Sequence, residues 1–126
     1  MAKERPVNLN LISFKFPLPA LVSIGHRVTG VLMFFLVPFA LYMLQTSLVD
    51  SPASFIMSNC LSCSFLWKMI IWAMFVVTAY HIIAGVRHLI MDFGIGESFS
   101  VAQRTAAAVF ILFLGVIIYT GVWLWV

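Results

Sequence analysis

Two histidines, His81 and His88, stand in a stretch otherwise suited to lipid, Ala79 to Asp92, and a third, His26, opens another apolar run beside Ser23 and Arg27. A helix advances about 100° per residue, so Gly85, His88 and Asp92 all lie within about 40° of His81 and form one polar stripe, while Arg87 points well away from it. An ionisable group in a membrane span costs on the order of 2.5 to 3.5 kcal/mol for Arg, Lys or Asp, and less for neutral His, so each such group wants a partner. In the other run Ser23, Arg27 and Gly30 share a face, with His26 about 60° round from Ser23. Hydroxyl, imidazole and guanidinium thereby converge. Arg suits carboxylates and the polarisation of a carbonyl oxygen, and Ser can donate to that same oxygen. Taken singly, Arg27 reads better as a snorkelling cation and Ser23 as a helix-start residue; taken as a group they do not.

A histidine opposite a glycine suits haem, because the imidazole supplies an axial nitrogen and the absent side chain at Gly85 gives a macrocycle a place to lie. His81 and His88 are about 10.5 Å apart along the helix axis. Two axial nitrogens on one iron are only about 4 Å apart, at roughly 2 Å per metal–nitrogen bond, so the two cannot share an iron. By their positions along the helices His26 and His88 sit at the rim and His81 about 10 Å deeper. A six-coordinate haem therefore calls for a ligand from another chain. His26, Arg27 and His88 are set to meet haem propionates through charge-assisted hydrogen bonds, and Asp92, one turn beyond His88, to orient that imidazole. A packed, hydrogen-bonded structural role is the other reading of a lone intramembrane His.

The elements that position these residues follow from composition. Of 126 residues 63% are hydrophobic and 9% charged, which places the chain among integral membrane proteins. Uncharged runs over Val28–Val49, Met69–Val86 and Thr105–Val126 measure roughly 33, 27 and 33 Å as helices, against about 30 Å of hydrocarbon. The expected fold class is all-α, with three transmembrane helices forming part of a multi-subunit helix bundle. One membrane-anchor domain covers residues 1–126: a cytoplasmic arm over about 1–20 and spans over about 21–49, 66–92 and 104–126. The arm is expected to be extended, because Arg5-Pro6 and Phe16-Pro17-Leu18-Pro19 oppose a helix. Pro38 should bend the first span mildly, and Lys68 and Arg87 should reach out to the interfaces from the second.

Lys3, Arg5, Lys15, Arg27, Arg87 and Arg104 all fall on one side of this three-span arrangement and Lys68 alone on the other. The amino terminus is thus expected in the cytoplasm and the carboxyl terminus outside. That bias accounts for the net charge of +3, and nucleic acid is not an expected partner, since no basic patch is interleaved with aromatics. The first run is too long for a signal peptide and lacks a small-x-small cleavage site. Cys60-Leu61-Ser62-Cys63 has neither the further ligands of a zinc site nor the following His of a covalent haem motif. The carboxylates Glu4, Asp50, Asp92 and Glu97 all lie outside the spans and no nucleophile adjoins a base, so catalysis by this chain alone is not expected.

Ser23-x-x-His26-Arg27-x-x-Gly30 and His81-x-x-x-Gly85-x-Arg87-His88-x-x-x-Asp92, preceded by Arg5-Pro6-Val7-Asn8-Leu9, resemble the cytochrome b membrane-anchor subunit of succinate dehydrogenase in its bacterial form. The likeness runs over most of the chain. It implies a place in the complex that oxidises succinate on a flavoprotein, passes electrons through an iron–sulfur subunit and reduces ubiquinone in the bacterial inner membrane. It further implies that His81 is an axial ligand to one haem b, with the other ligand from a second small anchor subunit. Ser23 and Arg27 would line the quinone pocket, and His26, Arg27 and His88 would approach the propionates. A fumarate reductase anchor working in the quinol-oxidising direction, and a haem-free tether for a soluble enzyme, remain open on the same residues.

Overall fold

The computed structural model describes residues 16–49, 52, 54–55 and 64–126. The amino-terminal arm through residue 15 and the Cys60–Cys63 pair lie outside the described residues. Among the described residues three long helices are defined: α1 Leu18–Leu48, α2 Phe65–Asp92 and α3 Phe99–Trp125. Their 31, 28 and 27 residues correspond to about 46, 42 and 40 Å, more than the roughly 30 Å of hydrocarbon a span must cross. All three are apolar enough to cross a membrane, and no β-strand occurs among the described residues.

Local chemistry explains the ends. Pro19 falls in the first turn of α1, where a missing amide hydrogen costs nothing, so the helix begins at Leu18 rather than after the proline. It runs through Pro38 to Leu48 without a break. At the end of α2, Gly94 adopts φ 76°. Its amide bonds the Met91 carbonyl at 2.9 Å and the Ile95 amide bonds the Ile90 carbonyl at 3.3 Å. This paired closure satisfies two orphan carbonyls and requires the left-handed residue that glycine supplies. A second positive-φ glycine, Gly96 at 81°, completes the six-residue turn, and α3 starts directly after Ser98.

α2 is the central element, packing extensively on both neighbours, while α1 and α3 meet less. The core is small: Val22, Tyr80, Ala84, Ala106 and Val109, with Ile83, Phe110 and Phe113 against it. Alanines at two core positions, Ala84 and Ala106, let the backbones approach closely, which is how helices associate where lipid removes the hydrophobic driving force. Tyr80 stacks edge-on to Phe113 and donates to the Val22 carbonyl at 3.4 Å, joining all three helices. Toward the other end, Trp72 donates to Thr120 Oγ1 at 3.1 Å, and Lys68 reaches the Leu124 carbonyl at 3.5 Å. The Lys68 cation therefore meets a carbonyl in the last turn of α3, the end at which the helix dipole is negative.

Arg87 departs from the expected snorkelling. It is 6% exposed, with Nε donating to Thr105 Oγ1 and Nη2 to the Ala102 carbonyl, each at 3.1 Å. A guanidinium facing α3 at this depth finds fixed acceptors closer than the interface, and that decides its direction.

Candidate functional site

The facing surfaces of α1 and α2 interlock through two His–Gly pairs. A Cβ on Gly30 would stand 3.1 Å from His81 Cε1, and one on Gly85 would stand 3.1 Å from His26 Nε2. In each helix the glycine follows the histidine by four residues, one turn, and the helices are antiparallel, so each imidazole fits the notch left on the opposite helix. The clearance at Gly30 and Gly85 is therefore taken up by imidazoles of this chain and not left open for a macrocycle. A third glycine, Gly25, admits the Tyr80 ring: a Cβ there would overlap the hydroxyl and come within 2.8 Å of Cε1 and Cζ.

This register brings His26 nearer to His81 than counting along the helices predicts. Their rings stack with centroids 4.1 Å apart and planes 17° from parallel, and His88 lies on the other side of His26 at 5.2 Å, tilted by 58°. The three imidazoles form a short ladder from within the bundle toward the α2–α3 turn, with His26 as the middle rung and not level with His88. Stacking has a coordination consequence. A metal bound by two imidazoles must lie in both ring planes, because the lone pairs lie in those planes, and near-parallel rings stacked face to face share no such point within bonding reach. His26 and His81 in this arrangement cannot clasp one ion. Among the described residues no group of three or more His, Cys, Asp or Glu side chains is placed to hold a metal ion.

The nitrogens of His81 have different environments. Nδ1 is 3.1 Å from the His26 carbonyl and 3.2 Å from Thr29 Oγ1. A carbonyl only accepts, so Nδ1 carries the proton and Nε2 holds the free lone pair. Thr29 can take part as acceptor because its own proton has the Gly25 carbonyl at 2.8 Å or the His26 carbonyl at 3.0 Å. Nε2 has no hydrogen-bond partner among the described residues. No buried side-chain nitrogen or oxygen among them lacks a partner, so Nε2 of the half-buried His81 is not sealed inside the chain. An imidazole nitrogen with its lone pair free, its tautomer fixed from behind, suits an axial bond to haem iron.

Of the remaining sequence-derived residues, Ser23 is half-buried and Arg27 exposed, one turn apart on α1, and both lie toward the same end as His26 and His88. The charges of Arg87, Asp92 and Arg27 all reach His88, yet Asp92 is exposed and no hydrogen bond joins it to His88. Thr29 and Tyr80 join the site from the structure and are not singled out by residue type and spacing. Thr29 lies between His26 and Gly30 at helical spacing, a polar residue at the edge of the same face, and that was the signal available. Its partner is set by the pairing of α1 with α2, which neither helix reports alone.

A family model described as Succinate dehydrogenase/Fumarate reductase transmembrane subunit matches residues 1–123. The chain is 36% identical over 125 residues to the succinate dehydrogenase cytochrome b556 subunit of Coxiella burnetii, an alignment covering 99% of this chain and 100% of that one. It is 31% identical over 102 residues to the protein of the same name from Rickettsia prowazekii, covering 81% and 78%. Against the Paracoccus denitrificans counterpart it is 30% identical over 105 residues, covering 83% and 80%.

Proposed function

The chain belongs to the succinate dehydrogenase/fumarate reductase transmembrane subunit family, and from that premise we propose that it is the haem b-binding membrane anchor of a succinate dehydrogenase and helps to form its ubiquinone-reducing site. The observation that carries the haem assignment is the His26 carbonyl 3.1 Å from His81 Nδ1, an acceptor that calls for the proton on Nδ1 and leaves the lone pair on Nε2. His81 would supply one axial ligand to a single haem b. The stacking of His26 against His81 supports an opposite ligand from a second small anchor subunit. His26, Arg27 and His88 would meet the propionates. Haem b, when bound, supplies one-electron storage near the quinone.

Ser23 and Arg27 would hold ubiquinone. Electrons reach it from the iron–sulfur subunit, which receives them from the flavoprotein, and negative charge grows on a quinone oxygen as they arrive. The Arg27 guanidinium and the Ser23 hydroxyl are donors suited to that oxygen, and preorganised donors aimed at developing charge lower the cost of reduction. The half-burial of Ser23 and the exposure of Arg27 support a pocket completed by neighbouring subunits. The setting is the bacterial inner membrane, with the amino terminus cytoplasmic and the carboxyl terminus periplasmic, as the grouping of positive residues near the start of α1 and the α2–α3 turn supports.

The test is a reduced-minus-oxidised difference spectrum of the purified assembly with and without His81→Ala. A b-type band is expected in the native assembly and its loss in the variant, with the substituted chain still inserted in the membrane. No band in the native assembly, or unchanged haem content in the variant, contradicts the assignment.

A further inference from the structure

We infer that Thr29 is a positioning residue for the His81 imidazole, its hydroxyl holding the ring as the Nδ1–H tautomer and strengthening Nε2 as a donor to haem iron. This rests on the haem reading above. Thr29 Oγ1 stands 3.2 Å from His81 Nδ1 and 2.8 Å from the Gly25 carbonyl. A hydroxyl that spends its proton on a carbonyl one turn back presents a lone pair forward, and the forward neighbour is Nδ1–H. The His26 carbonyl, 3.1 Å from the same nitrogen, is the second acceptor, so Nδ1–H is shared between a backbone and a side-chain oxygen. Gly30 makes the approach possible, because a Cβ there would press on His81 Cε1 at 3.1 Å. The imidazole is thus gripped at Nδ1 by α1, fitted over Gly30 and stacked by His26, while Nε2 keeps its lone pair.

The electronic consequence has a sign. An acceptor at Nδ1–H draws that proton away from the ring, raises the basicity of Nε2 and favours the ferric over the ferrous state of a bound haem. Removing one of two acceptors weakens the effect without abolishing it, so the haem midpoint potential should rise and haem should be retained.

Spectroelectrochemical titration of the purified assembly carrying Thr29→Val or Thr29→Ser tests this. Valine keeps the branched shape and loses the hydroxyl; serine keeps the hydroxyl. The expected result is a higher midpoint potential in Thr29→Val and a native value in Thr29→Ser. Should Thr29→Val lose haem altogether, retention by Thr29→Ser still assigns the role to the hydroxyl, whereas loss in both variants overturns it in favour of side-chain packing. An unmoved or lowered potential in Thr29→Val, or equal shifts in both variants, also overturns it. A native assembly lacking any b-type band removes the haem reading and this inference together; a normal band with an unmoved potential removes this inference alone.

Discussion

In the proposed function Arg27 and His81 would divide the chemistry, the exposed cation meeting a quinone oxygen and the imidazole meeting iron. Arg27→Leu should lower quinone reduction on the order of 100-fold, the usual loss for one donor aimed at developing charge, while succinate oxidation by artificial acceptors continues. Normal quinone turnover in that variant would contradict the role. Gly25→Ala tests the packing beneath: the added methyl meets the Tyr80 ring, which is 6% exposed and tied to α1 and α3. Overpacking of this kind costs about 1 to 3 kcal/mol, and thermal denaturation of the assembly in detergent should show a lowered midpoint. The stripe of His81, Gly85 and His88 was legible in the sequence because a helix repeats at a known angle. The stacking of His26 on His81 was not, since it depends on which residue of α1 faces which of α2.

At the scale of elements, α2 is fastened to each neighbour by different chemistry: imidazole-in-glycine notches toward α1, and buried polar contacts toward α3. Arg87 is the principal contact of the second kind at the turn end. Arg87→Met should loosen α3, and polar contacts between membrane helices are typically worth about 0.6 to 2 kcal/mol. A lower denaturation midpoint with the His81-dependent haem band retained is the expected outcome; loss of haem with native thermal stability would instead assign Arg87 to the cofactor. The three helices were legible from uncharged runs alone. The direction of Arg87 was not, because its acceptors, Thr105 Oγ1 and the Ala102 carbonyl, belong to the next helix. The start of α3 at Phe99 was also hidden: Gln103 and Arg104 end the apolar run, although neither opposes helix.

For the whole molecule, a core of a few buried residues among many exposed apolar ones leaves most of the surface to lipid and to other subunits. Reporter fusions should place the carboxyl terminus on the periplasmic face, and a cytoplasmic signal there would reverse the proposed orientation. On the proposed haem reading the chain would supply one axial ligand only, His81 Nε2, because the nearest second imidazole, His26, is stacked where it cannot face the same iron. Density for the metal and its ligands in an experimental structure of the haem-loaded assembly bears on this most directly. It should show His81 Nε2 on the iron and the opposite axial ligand from a different polypeptide; iron held by two side chains of this chain, or by none of them, would contradict it.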